Sequence, residues 1–192
     1  MNAIPPPDAL PTISLDDLSR GLAEHGWRSY PSPQLAATLG VTPAELQAAY
    51  PSPCNVLAAL TRQFNQDMLQ GYQQQGGEAV RDRLFDLIMR RFDAMLPHRP
   101  AIAKLMHDLW FQPLLKASMA EGLCGSLNLI LHHAGAPTHG WQGQLARAGL
   151  GLIYADTLRL WLKDNSSDQG RTMACLERHL ERADGWAKQL RF

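Results

Sequence analysis

Three histidines, His132, His133 and His139, bracket a Gly/Pro-rich stretch, and closely spaced imidazoles are a donor type that zinc and related ions favour. The competing reading of His132 and His133 is electrostatic. They end an apolar helical run, where the partial negative charge of a helix C-terminus attracts them. The three cysteines, Cys54, Cys124 and Cys175, are odd in number and far apart, with no Cys-x-x-Cys. That spacing suits neither a disulfide framework nor a structural zinc site and fits a reducing, cytoplasmic compartment. The chain has no Glu-x-x-His pair for a di-metal bundle, no phosphate-cradling glycine loop and no evident nucleophile–base pair. No catalytic residue, metal or cofactor is therefore expected, and the sequence points to a binding protein rather than an enzyme.

Two further sets invite a binding role. Met89, Phe92, Met106, Trp110, Phe111, Met119 and Leu123 combine thioethers and aromatics of the kind that line adaptable apolar pockets; plain core is the other reading. Arg81, Arg83, Arg90 and Arg91 share a stretch with Asp82, Asp86 and Asp93 at helical spacing, which reads as a solvated, ion-paired face or an anionic-lipid patch.

The elements that must position these residues are helices. Of 192 residues, 45% are apolar, enough for a sizeable core. No run alternates apolar and polar side chains long enough for a half-buried strand, so the class is all-α. Residues 1–13 are Pro-rich and aperiodic and read as a flexible arm. Within 14–51 three short helices follow one another. Ser14 caps Leu15-Asp16-Asp17, and Gly26 stops the first helix; Pro33 opens and Gly40 closes the second. Thr42 and Glu45 form a capping box for the third, which Pro51 ends. That layout is a helix-turn-helix-like domain. The remainder, 52–192, reads as a larger domain of about six helices, with expected spans near 52–75, 78–96, 101–112, 113–133, 141–163 and 167–190. No signal-peptide pattern opens the chain, and Arg, Asp and His interrupt the apolar runs, so an integral membrane protein is not expected.

The last two expected helices differ in character. The first is apolar nearly all round (Leu150, Leu152, Ile153, Tyr154, Leu158, Leu160, Trp161) and holds the small residues Gly149, Gly151 and Ala155. The second carries Met173, Leu176, Leu180, Ala183, Ala187 and Leu190, spaced alternately by three and four. Such a seam suits packing along another helix. The expectation is a homodimer through both helices, with Leu150, Ile153, Tyr154, Trp161, Met173, Leu176, Leu180 and Ala183 at its interface; ordinary intrachain core is the alternative.

The run Glu24-His-Gly26-Trp27, Leu35-Ala36, Leu39-Gly40-Val41-Thr42, Leu46, Tyr50-Pro51-Ser52 and Leu57 resembles the TetR family of bacterial regulators. The resemblance implies a small DNA reader, a larger domain with an apolar ligand pocket, and a dimer through the last two helices. Arg28, Ser32, Thr42, Gln47 and Tyr50 would then face a DNA operator. A second resemblance covers the C-terminal third. Ala134-Gly135, Arg147, Leu150, Ile153-Tyr154, Thr157, Asp164-Asn-Ser166, Asp168, Thr172 and Leu176 look like the lipid-binding accessory proteins of ubiquinone biosynthesis, which have the TetR fold without acting on DNA.

The reader departs from the regulator pattern. Where that family commonly has Tyr, His and Lys, this chain has Gln47, Ala49 and Pro53, and no Lys or Arg occurs from Pro31 to Thr61. Residues 1–75 carry three basic groups (Arg20, Arg28, Arg62) against six acidic ones (Asp8, Asp16, Asp17, Glu24, Glu45, Asp67), although the whole chain balances at eighteen each. Duplex affinity rests mostly on neutralising phosphates. The sequence therefore reads as a TetR-like ligand-responsive transcriptional regulator with a degenerate, uncharged reader. The alternative is a TetR-fold accessory protein that binds a lipid or isoprenoid and not DNA.

Overall fold

A computed structural model describes residues 13–74, 77–166 and 168–189, without the side chains of 186–189. The expected arm thus lies almost wholly outside the described residues. Nine α-helices occur among those described, with no strand: α1 Leu15–His25, α2 Pro33–Thr38, α3 Pro43–Ala49, α4 Pro53–Leu69, α5 Val80–Met95, α6 Arg99–Asp108, α7 Pro113–Ala134, α8 Gly140–Trp161 and α9 Gly170–Gln189. Short 3-10 turns, Leu96–His98 and Leu109–Phe111, precede α6 and α7. The all-α reading holds, with three short helices and then six longer ones.

Local chemistry sets the ends. The Ser14 hydroxyl accepts the Asp16 amide, and the Ser32 hydroxyl accepts the Leu35 amide. Pro opens both α2 and α3, where its missing N–H costs nothing. The expected spans shift by a few residues at several ends: α6 gives way to a 3-10 turn after Asp108 rather than reaching residue 112, α9 starts at Gly170 rather than 167, and the largest shift is in α4. α4 stops at Leu69 rather than near Gln75, because Gly71 takes a left-handed backbone (φ 71°) that only glycine adopts freely.

The chain divides into two compact units. In the first, Met1–Leu60 with Pro97–Met119, α1 packs on α2 and α6, and α2 on α3. Leu18, Leu22, Trp27, Leu35, Leu46 and Leu105 are among its buried apolar side chains. Trp27 is tied down twice: its amide donates to Asp108 Oδ2 at 2.9 Å and its indole N–H to the Ala101 carbonyl at 3.0 Å. Burial alone would raise the Asp108 pKa. The contact with His107, the Trp27 amide, the Lys104 charge and the Arg28 amide outweigh it and hold the carboxyl below its usual range.

In the second unit, Thr61–Leu96 with Ala120–Phe192, α9 packs on both α5 and α8. Phe92 stacks on Tyr154 (5.2 Å between ring centroids) and on Trp161 (5.4 Å). The Trp161 indole N–H donates to Gln169 Oε1, whose amide nitrogen donates to Asp93. Arg91 departs from the solvated-face expectation. It is 4% exposed, with Nε donating to the Tyr154 hydroxyl at 3.1 Å and another guanidinium nitrogen donating to Asn65 Oδ1. Arg90 does face outward, paired with Asp86 one turn back at 2.9 Å.

Candidate functional site

The helix-turn-helix residues come first. α3 would be the helix that enters a groove, and its amino end would meet a phosphate through free amides. Here most of the donors at that end are already used or missing. Pro43 has no N–H. The Glu45 amide donates to Thr42 Oγ1 at 3.2 Å, and the Leu46 amide to the Thr42 carbonyl. The Thr42 amide and hydroxyl both donate to Glu45 Oε2, at 2.7 and 2.9 Å. These bonds, the backbone one foremost, hold the Glu45 carboxyl below its usual range, so a negative charge sits at the amino end of α3.

The other reader candidates are placed as follows. Ser32 is buried, its hydroxyl used in capping α2. Gln47 is exposed. Tyr50 is half-buried, and its carbonyl accepts the Tyr30 hydroxyl at 2.6 Å. Burial, with Tyr50 adding to it, pushes the Tyr30 phenol up to about 12, so it stays a donor that pins the end of α3. The Arg28 guanidinium lies over the Phe111 ring, 4.4 Å from its centroid.

The seven expected pocket residues fall in both units. Met106, Trp110, Phe111 and Met119 belong to the first, and Met89, Phe92 and Leu123 to the second. Phe92 is fully buried in its aromatic stack, whereas Trp110 is 84% exposed and Phe111 61%. Leu114, in the first turn of α7, is 80% exposed beside them in sequence. Small clefts among the described residues include one of about 190 Å³ at Asp16, Ser19, Arg20, Pro97, His98 and Ala101, and one of about 110 Å³ at Arg81, Asp82, Phe85, Glu177 and Leu180. None of the seven lines either. α7 also differs from the sequence expectation. It is 22 residues long with a mean hydropathy of 1.2 over its best window, long and apolar enough by composition to cross a bilayer.

The expected dimer seam divides by burial. Leu150, Tyr154, Trp161, Leu176 and Leu180 are buried within this single chain, because α5 and α8 both pack on α9. Ile153 is half-buried, and Met173 and Ala183 are exposed. Leu145 and Leu152 of α8 also face solvent, a feature the sequence reading did not separate from the core. Of the histidines, His132 and His133 close α7 with their rings edge to face, and His139 lies 2.9 Å from Thr138 Oγ1.

In the solved structures the match is extensive. A TetR transcriptional regulator from Nitrosomonas europaea ATCC 19718 superposes with a TM-score of 0.70 at 20% identity, over 88% of this chain and 95% of its own. The fold is that of the TetR regulators. A protein of Rhodococcus sp. described as belonging to the same regulator family gives a TM-score of 0.60 at 16% identity, over 88% and 96%. The COQ9 family model matches residues 117–186, rather more than a third of the chain. No curated protein matches it.

The COQ9 match takes in a heavily bonded carboxylate, Asp164. Asp164 is buried after α8 and receives the Ser166 hydroxyl and amide at 2.6 and 3.1 Å, and the Thr172 hydroxyl and amide at 2.8 and 2.9 Å. The Ser166 hydroxyl bond is the largest cause holding its carboxyl far below the usual carboxylate range; burial opposes and is outweighed. Asp164 thereby fixes the start of α9.

Proposed function

We propose that this chain is a lipid-binding accessory protein on the TetR fold, working without DNA. The observation that carries the reading is the amino end of α3, where Pro43, the Thr42 bonds and the Glu45 carboxylate leave a phosphate little to bind. Cations do not compensate, since none occurs from Pro31 to Thr61. The COQ9 match over 117–186 supports the same class, as does the resemblance of the C-terminal third to accessory proteins of ubiquinone biosynthesis. An isoprenoid or similar lipid is the ligand class that follows.

Trp110, Phe111 and Leu114 suit contact with such a ligand or the membrane that holds it. Three large apolar side chains within five residues, all well exposed, are costly in water, and Trp is favoured at bilayer interfaces. Arg28 over Phe111 and the exposed Lys116 add cationic character. The reading is non-enzymatic.

The test pairs two measurements on the purified full chain: mass spectrometry of its organic extract, and binding to random duplex DNA across a salt series. Co-purified lipid with a flat salt response is expected. Micromolar or tighter duplex binding with a steep salt slope would overturn the proposal. The expected substitution effect is that Trp110→Glu with Phe111→Glu reduces vesicle co-sedimentation while helix content stays unchanged; undiminished sedimentation removes this surface from the reading. The regulator reading has one specific support, the extensive superposition on TetR regulators, and it would be restored by that steep salt slope.

A further inference from the structure

Asp156 on α8 and Cys175 and His179 on α9 bring a carboxylate, a thiol and an imidazole together, with their ligand atoms all within 4.8 Å of one another. Cys175 and His179 are four residues apart and so lie on one face of α9, one turn above the other. The packing of α9 on α8 delivers Asp156 to that face, and His179 Nε2 is 2.9 Å from Asp156 Oδ2. Cys175 and His179 are half-buried and Asp156 is exposed, so the set is held on the inside and open to solvent on the outside. One sulfur at about 2.3 Å and a nitrogen and an oxygen at about 2.0 Å from a tetrahedral ion are separated by roughly 3.3–3.5 Å, so on binding the longer separations close by about 1.3 Å at most and the His179–Asp156 pair opens by a few tenths of an ångström.

We propose that Asp156, Cys175 and His179 form a binding site for a zinc-class divalent cation, with water as the fourth ligand. The donor set names the ion. A sulfur and an imidazole nitrogen beside one carboxylate oxygen suit Zn²⁺ and Co²⁺, and do not suit the all-oxygen preferences of Mg²⁺ or Ca²⁺. Arg178 and Asp156 are charges near the thiol, and Thr157 is in hydrogen-bond contact with Cys175. On binding, sulfur, nitrogen and oxygen each donate a lone pair to the cation, and the thiol proton passes to solvent. No electron transfer occurs. The bound ion ties the first half of α9 to the C-terminal third of α8. The site is independent of lipid binding, and either proposal can fail alone.

The experiment uses the full-length, tag-free, reduced chain titrated with Co²⁺ and then with Zn²⁺. One equivalent of Co²⁺ is expected to bind, with a near-ultraviolet thiolate-to-cobalt charge-transfer absorption that Zn²⁺ displaces. Cys175→Ser should abolish that absorption, and His179→Gln should weaken Co²⁺ affinity by roughly tenfold or more. The double variant Cys54→Ser/Cys124→Ser should keep both absorption and affinity. Zn²⁺ should raise the Tm of the wild-type chain and not of Cys175→Ser, which also serves where the variant is less stable on its own. No charge-transfer absorption, or one that survives Cys175→Ser and is lost in the Cys54/Cys124 double variant, would overturn the proposal.

Discussion

At the scale of the residue, the clearest stability determinant is Asp164. Four donors from Ser166 and Thr172 converge on its two oxygens, and only an ionised carboxylate can accept them all. Asp164→Asn turns an –NH₂ toward one donor pair and should cost about 2 kcal/mol, which is roughly 4–8 °C in Tm for a chain of this size. The pH dependence follows from the depressed carboxyl. Unfolded, the side chain takes up a proton near its ordinary value of about 3.9, while folded it resists to far lower pH. Its contribution is therefore complete above about pH 4 and is lost as pH falls from there toward the folded value. In urea titrations at several pH values, the gap between wild type and Asp164→Asn should be widest near neutrality and close below about pH 4; a gap constant down to pH 2 would contradict this account. Arg91 shows what the sequence concealed at the same scale. It sits three residues after Ile88 and four before Met95, a spacing that lies on the apolar face of α5, although the sequence reading placed it on the solvated one. Grouping it with its neighbour Arg90 by charge hid that. The donors of its buried guanidinium meet Tyr154 and Asn65, 63 and 26 residues away, pairings no local pattern encodes.

At the scale of the element, α3 carries the functional argument. Its capping box was legible because it is written within four residues, as were the Ser14 cap of α1 and the Pro33 start of α2; the Ser32 cap of α2 was not, that residue having been assigned to DNA. What the box does to a DNA reader was less legible, since it depends on which amides remain and where the Glu45 carboxylate points. Restoring cations should therefore partly restore duplex affinity. Gln47→Lys with Ala49→Lys places two charges on exposed positions of α3. Non-specific binding to random duplex should gain a salt slope of about 0.9 for each phosphate newly neutralised. Fluorescence anisotropy across a salt series measures it. A variant with a slope no steeper than wild type would mean that α3 does not face the duplex at all. The three metal-ligand candidates illustrate the opposite case. Cys175-x-x-x-His179 is a readable helical pair, yet Asp156 joins it only through the packing of α8 on α9, and the histidines singled out by local crowding lie elsewhere.

For the whole molecule, the apolar surface that α8 leaves exposed sets how the chain meets a second copy of itself. The last two helices were expected to pair subunits through a seam. The larger members of that seam are used within the chain, because α9 packs on α5 as well as α8, and periodicity cannot distinguish an intrachain partner from a second copy. The surface left over is a different stripe. Leu145 and Leu152 are 48% and 76% exposed, and Ala148 between them is exposed too. Residues seven apart return to nearly the same helix face, so the three form one apolar strip along α8. A second copy meeting it through the same strip would close a two-fold interface with four helices, in which each Leu152 packs against its counterpart or a near neighbour. A charge placed there would be buried without a partner in the dimer and harmlessly solvated in the monomer, so it should act on association and not on folding. In sedimentation velocity the wild-type chain should therefore run as a dimer, and Leu152→Glu as a folded monomer with unchanged helix content. A wild-type chain that remains monomeric at the highest concentration tested, or a Leu152→Glu variant that stays dimeric, would show that the strip is covered by something other than a second copy.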